Sequence, residues 1–278
     1  MSIYRAQYTR YHGRIESPSS RYQAIARAEL SRLLRDKWFK RLVLMSGAPT
    51  LILGLYIYLA AILEQGFGWN PLGNDVFTRL YAWQPWFIVL MFTGFGSGLI
   101  SRDRRTGALT LIFTRPVSSL QYLLGKVCIL VACALMVTLI PGLILALAQF
   151  AMQTTFGFWQ LLDAMWRVFA TSALFSVFMS SLMLLLSATL GTSSRVAAMV
   201  WLVAFICLMM LKNILENTLG MGPMTAVVSP YDVMVGTADM CFSGQSDALP
   251  SLVAIVAYSA FFLVALYVRI QSFERAHT

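Results

Sequence analysis

Histidine occurs only twice in this chain, at His12 and His277, and charged residues fill only 12% of its 278 positions. A soluble domain carries about 25% charge. Long stretches hold no Asp, Glu, Lys, Arg or His at all. Both histidines sit near the chain ends, so neither serves as base to a membrane serine. HExxH is absent, which excludes that metalloprotease pattern. "GFGSG" at 94–98 does not put Ser97 in a G-x-S-x-G frame. Its Gly94 and Gly98 have instead the GxxxG spacing of close helix packing. The phosphate-loop pattern GxxxxGK[ST] is missing: "LLGKV" at 123–127 has Gly125 and Lys126 but neither the leading glycine nor the hydroxyl residue. Any nucleotide-driven work must therefore come from a partner. No catalytic, cofactor-binding or metal-binding residue is expected in this chain.

Cysteine is also sparse. Cys128, Cys133, Cys207 and Cys241 show no CxxC spacing, and three of them fall in apolar runs. They read as buried thiols, not as a disulfide framework or zinc site. The first 41 residues are polar and the first apolar run is too long for a signal-peptide core, so no cleavable signal is expected.

What the chain does contain is apolar length, with 58% hydrophobic residues. A bilayer core of about 30 Å takes roughly 20 apolar residues in helix. Six segments meet or approach that, at about 42–63, 80–101, 127–150, 168–190, 196–215 and 249–268. The expected fold is an all-α membrane protein. The fifth span is the least clean, ending at Lys212, which is expected to snorkel. The neutral stretch 127–162 exceeds one span, and "AMQTTFGFWQLL" is expected to return along the interface as a partial helix.

The net charge of +9 is unevenly placed. The N-terminus, the 102–126 loop, the 191–195 turn and the C-terminal tail together hold 18 Lys and Arg. The loops at 64–84, 151–167 and 212–248 hold 3, against seven acidic residues. Lys and Arg are retained in the cytoplasm during insertion, so both termini are expected inside (N-in and C-in). The basic residues flank membrane spans and no aromatic–basic platform is present, so the charge points to membrane lipid and not to nucleic acid.

Three regions follow: a cytoplasmic arm and helix over 1–41, a six-span domain over 42–268 and a cytoplasmic tail over 269–278. Within 21–41 the residues Leu30, Leu33, Leu34 and Trp38 form one stripe, with Arg27, Arg32, Arg35, Lys40 and Arg41 around the rest. Such a helix is suited to lying in the headgroup layer. In the extracytoplasmic loop 212–248, "SPYDVMVG" predicts a short helix capped by Ser229.

Residues 100–118, "ISRDRRTGALTLIFTRPVS", are short, basic and half apolar. Asp103 is placed to cap a helix over about 102–114, which Pro116 ends. Leu109, Ile112 and Phe113 form its apolar face, while Leu111 projects from the other side near Arg104 and Arg115. Lipid alone does not account for Leu111, which makes it a knob for a cytoplasmic partner. These residues leave open an exporter subunit, a non-transporting membrane anchor or assembly protein, and a channel or secondary transporter. The lack of a titratable group near the midplane of any span weighs against the last.

The segment "SRDRRTGALTLIFTRPVSSLQYLLGK" resembles the cytoplasmic loop after the second span in permeases of the type-2 ABC exporter family. The matching residues are Asp103, Arg104, Gly107, Leu109, Arg115, Pro116, Val117, Ser118, Gly125 and Lys126. "IARAELSRLLRDKWFKRLVL" is similar to that family's N-terminal amphipathic helix, and the resemblance is closest to the branch that includes NosY-like permeases. It implies a bacterial inner-membrane permease that acts as an exporter, and the lack of charge inside the spans points to a lipid-like or amphipathic substrate. It also implies a second six-span subunit, expected as a homodimer, and two copies of an ABC ATPase subunit that bind the ATP and Mg. The 102–114 helix becomes the coupling helix, with Asp103, Arg104, Arg105, Gly107, Leu109, Leu111, Arg115 and Pro116 facing the ATPase. The substrate path is implied at the dimer interface near the first, second and fifth spans. Members often carry two Glu before the glycine, where this chain has Arg104 and Arg105, which implies an acidic socket on its ATPase.

Overall fold

The computed structural model describes residues 21–67, 75–107, 118–152, 157–190, 193–218, 220, 223–244 and 246–275. Ten α-helices cover most of them: α1 Arg21–Arg35, α2 Lys37–Ser46, α3 Ala48–Phe67, α4 Asp75–Met91, α5 Gly98–Arg105, α6 Ser119–Met152, α7 Phe158–Thr189, α8 Ser194–Asn217, α9 Pro230–Ser243 and α10 Leu249–Arg275. No strand occurs among the described residues. Six stretches are long and apolar enough to cross a membrane: Lys37–Ile62, Val76–Arg105, Ser119–Met152, Phe158–Thr189, Ser194–Asn217 and Leu249–Ser272. All six expected spans are present, each of them longer than hydropathy alone indicated.

The spans are not equivalent. The second and fourth are 61% buried within the chain, the fifth only 11%. The second to fourth spans supply the centre, where Tyr81, Ile88, Phe92, Ile129, Val137, Phe175 and Met183 are fully enclosed. Lipid tails are as apolar as these side chains, so packing and interhelical hydrogen bonds, not water exclusion, hold the bundle together. Tyr81 illustrates both. Its hydroxyl donates to the Val168 carbonyl at 3.0 Å and shares a 2.8 Å hydrogen bond with Ser172 Oγ. Gly142 lets the helices approach there, since a Cβ on it would lie 2.7 Å from Val168 Cγ1 and 3.0 Å from Tyr81 Oη.

The second span is not one regular helix. A π turn, Phe92–Gly96, joins α4 to α5, and Ser97 N–H bonds back five residues to the Phe92 carbonyl at 3.0 Å. The Val89 carbonyl beside it accepts from Trp201 Nε1 at 3.1 Å and from Thr93 Oγ1 at 2.7 Å. This corrects the GxxxG reading. A Cβ on Gly94 meets nothing within 4 Å and one on Gly98 only Ser194 Cβ at 3.8 Å, whereas one on Gly96 would lie 3.0 Å from Met183 Cγ. The wide turn rotates Gly96, not Gly94, into the packed interior.

Two further expectations are corrected. Residues 158–162 do not run back along the interface: they are the first turns of the continuous 32-residue α7, started by Gln160 Oε1 accepting from Gly157 N–H at 2.9 Å. The basic helix expected over 21–41 breaks at Asp36, whose extended backbone and side chain begin a new helix by accepting from Trp38 N–H at 2.8 Å. An aspartate's preference for the N-cap overrides the apolar periodicity there.

At the opposite end from α1, Ser229 caps α9 as expected, accepting from Asp232 N–H at 3.3 Å. Phe242 of α9 stacks on Phe77 of α4 at 4.9 Å, and Arg167 of α7 donates to the Cys241 carbonyl at 2.7 Å. Lys212 does not snorkel alone but pairs with Glu216 and with Asp232 on α9. Burial, with the Asp232 charge beside it, raises Tyr231 above the ordinary phenol value.

Candidate functional site

Among the described residues, the end of the bundle where α1 and α6 begin and α5 finishes carries the most deeply buried ionic contacts. Lys126, two turns into α6, has a side chain only 3% exposed. A lone ammonium buried in an apolar helix would be strongly unfavourable, so it needs carboxylates close by. Two reach it from different helices. Asp103 Oδ2 on α5 lies 2.9 Å from Lys126 Nζ, and Glu29 Oε1 on α1 lies 3.4 Å away. The same Asp103 oxygen accepts the Tyr122 hydroxyl at 2.8 Å, and the Lys126 ammonium stands 5.6 Å from the Tyr122 ring centroid. One lysine thus ties α1, α5 and α6 into a single joint.

The rest of α5 is fastened to α7. Ser187 Oγ donates to the Ser97 carbonyl at 3.0 Å and accepts from Ser101 N–H at 3.2 Å. Arg104 Nη1 donates to the Ala188 carbonyl at 3.1 Å, near the end of α7. Arg102 and Arg105 remain exposed. The helix then stops. Thr106 N–H bonds to the Arg102 carbonyl and Gly107, at φ +67°, turns the chain into the left-handed region. That conformation is cheap for glycine and strained for a residue with a Cβ.

Asp103 is therefore not the N-cap of a helix over 102–114. It lies in the last turn of α5, with its carboxylate committed to Lys126 and Tyr122. Helical hydrogen bonding carried in from the second span, not a fresh start at Asp103, governs the segment. Leu109, Leu111, Arg115 and Pro116 lie outside the described residues, as does most of the expected coupling helix. Of the N-terminal stripe, Leu30 and Leu33 pack against the core. Leu34 and Trp38 face outward, with Trp38 67% exposed and Arg41 stacked 5.7 Å from its ring. Phe39 is the residue α2 buries, edge-on to Phe95 at 5.7 Å.

Glu29, Tyr122 and Ser187 escaped the sequence reading. Glu29 had a signal, being the one acid among the arginines of α1. Lys126 had one too, as the only charge in the 34 residues of α6. Among the described residues no group of three or more His, Cys, Asp and Glu could hold a metal ion.

At this end of the molecule α5 and α6, which flank residues 106–118, are thus fastened to each other and to the N-terminal helix α1. The family model described as ABC-2 family transporter protein matches residues 83–277, which include α5, the loop after it and α6 to α10. No curated protein matches the chain. With six membrane-spanning helices and this match over most of its length, the chain belongs to the ABC-2 family of transporter proteins, as a multi-pass permease.

Proposed function

We propose that the chain is the membrane subunit of an ATP-driven exporter, and that residues 103–116 receive the stroke of a separate ATPase. The joint of Lys126 with Asp103 and Glu29 carries this reading. A push on the loop between Arg105 and Ser119 meets helices already fastened to one another, so spans two and three and the N-terminal helix move as one body. Of the two arginines before Gly107, Arg105 is exposed and suits an acidic socket on the ATPase, while Arg104 is turned to the Ala188 carbonyl. In this reading two ATPase copies hold the ATP and Mg, and this chain supplies no catalytic group.

A second copy of the chain completes the complex as a homodimer. The fifth span's 11% burial supports a partner there, with the substrate path near spans one, two and five. The Lys and Arg distribution favours cytoplasmic termini in a bacterial inner membrane. The pattern over 103–126 supports the branch that includes NosY-like permeases. The cargo is lipid-like or amphipathic, because charged side chains cluster toward the helix ends and leave the middle of the spans without an ionic guide.

Affinity purification of the tagged chain in mild detergent tests the proposal. An ABC ATPase is expected to co-purify, and its ATPase rate to change when the permease is present. Absence of any ATPase would favour the membrane-anchor reading instead.

A further inference from the structure

The joint around Lys126 leaves three arginines over. A cavity of about 370 Å³ opens beside it, lined by Arg32 and Leu33 of α1, Phe95 of the π turn, Arg102 and Arg105 of α5, and Ser194 of α8. Three carboxylates also border it, so with Lys126 beside them the formal balance is one positive charge in excess, and each carboxylate is already hydrogen-bonded. Glu29 and Asp103 hold Lys126, and Asp36 accepts the Trp38 N–H. Among the described residues no ion pair reaches Arg32, Arg102 or Arg105. A second observation adds to the positive field. Ser194 is the first residue of the 24-residue α8, and Ser193 gives that helix no side-chain cap. The positive end of its dipole therefore stands at the cavity rim.

We propose that this cavity binds a phosphate-bearing anion. The guanidinium forks of Arg32, Arg102 and Arg105 match phosphate oxygens in shape and charge. Leu33 and Phe95 provide an apolar wall for the part of the ligand next to the phosphate. The volume lies within the range of small-ligand pockets. The phosphate has two possible sources, a phospholipid headgroup in the adjoining leaflet or a soluble phosphorylated compound. Binding at this cavity stands independently of whether an ATPase drives the chain.

The test uses the full-length chain in phosphatidylcholine nanodiscs with graded phosphatidylglycerol. Retained lipid is counted by native mass spectrometry after release into detergent. A second arm titrates inorganic pyrophosphate into chain held in phosphatidylcholine alone. Phosphatidylglycerol retention is expected to fall at least tenfold in the triple variant Arg32→Gln, Arg102→Gln, Arg105→Gln. The control Arg35→Gln, Lys37→Gln, Arg41→Gln removes the same charge outside the cavity and is expected to change it less than twofold. Gly94 lines the cavity and has open space beside it, so Gly94→Leu obstructs the site with every charge in place and is expected to weaken retention too. Pyrophosphate binding with the same pattern across the variants would assign the site to a soluble phosphate. Equal losses in the two triple variants, or no binding in either arm, would overturn the proposal. So would an ATPase partner that requires the three arginines while neither phosphate source binds.

Discussion

Lys126 Nζ and Asp103 Oδ2 stand 2.9 Å apart, one in the second turn of α6 and the other in the last turn of α5. They bracket residues 106–118, so the pair ties the end of α5 to the start of α6. Glu29 joins them from α1, at 3.4 Å from the same ammonium. A buried pair is weak evidence of net stability, but removing one partner alone is costly.

Lys126→Met should therefore destabilise the protein strongly, leaving Asp103 and Glu29 facing each other without a cation. The expected cost is about 3 kcal/mol, the low end for a broken buried pair, because Glu29 keeps some access to solvent. Thermal unfolding followed by tryptophan fluorescence measures it. Adding Asp103→Asn and Glu29→Gln to Lys126→Met should recover much of the loss. Failure of that recovery would show that the joint is not held by charge.

The glycine that ends α5 gives a local prediction. Gly107→Pro cannot reach φ +67° and should cut ATPase recovery several-fold without affecting membrane insertion. Gly107→Asn, which tolerates the left-handed region, should retain most of it. Leu111→Glu should uncouple the ATPase as Gly107→Pro does. Co-purification yields compare the three variants, and equal yields would remove the loop from the coupling path.

A packing prediction concerns the centre of the bundle. Gly142→Ala pushes a methyl against Val168, whose branched side chain has little rotamer freedom in a helix, and against the Tyr81 hydroxyl. The expected loss is about 1–3 kcal/mol. Val168→Ala in the same chain should restore most of it. A double variant no more stable than Gly142→Ala alone would place the strain elsewhere.

Orientation is open to chemical labelling. In a cysteine-free background, Ser243→Cys at the exposed end of α9 should react with a membrane-impermeant maleimide from outside the cell. Thr106→Cys, exposed after α5, should react only once the membrane is opened. The reverse pattern would invert the proposed topology.

How much of this was legible in the residues varied with the kind of signal. Apolar length exposed all six spans, because a bilayer imposes one thickness on each of them. Ser229 was legible as a cap, since its role depends on neighbours one turn away. Asp103 was misread for the complementary reason. Its local context suits an N-cap, but its partner Lys126 is 23 positions on, and only the return of α6 brings the two together. Asp36 was hidden inside a regular leucine stripe that outweighed its capping tendency. Ser187 had no local mark at all, because its role against Ser97 and Ser101 comes from α5 and α7 lying side by side.

The π turn at Phe92–Gly96 sets the phase of everything beyond it. One residue more than an α turn advances the later helix by about 100° around its axis. Ser97, Ser101, Asp103 and Arg104 meet their partners only in that rotated frame. Deleting a single residue from "FTGFG" would restore an ordinary helix and swing all four away together. The contacts with Ser187, Ala188 and Lys126 thus share one angular setting, fixed by the five residues of that turn.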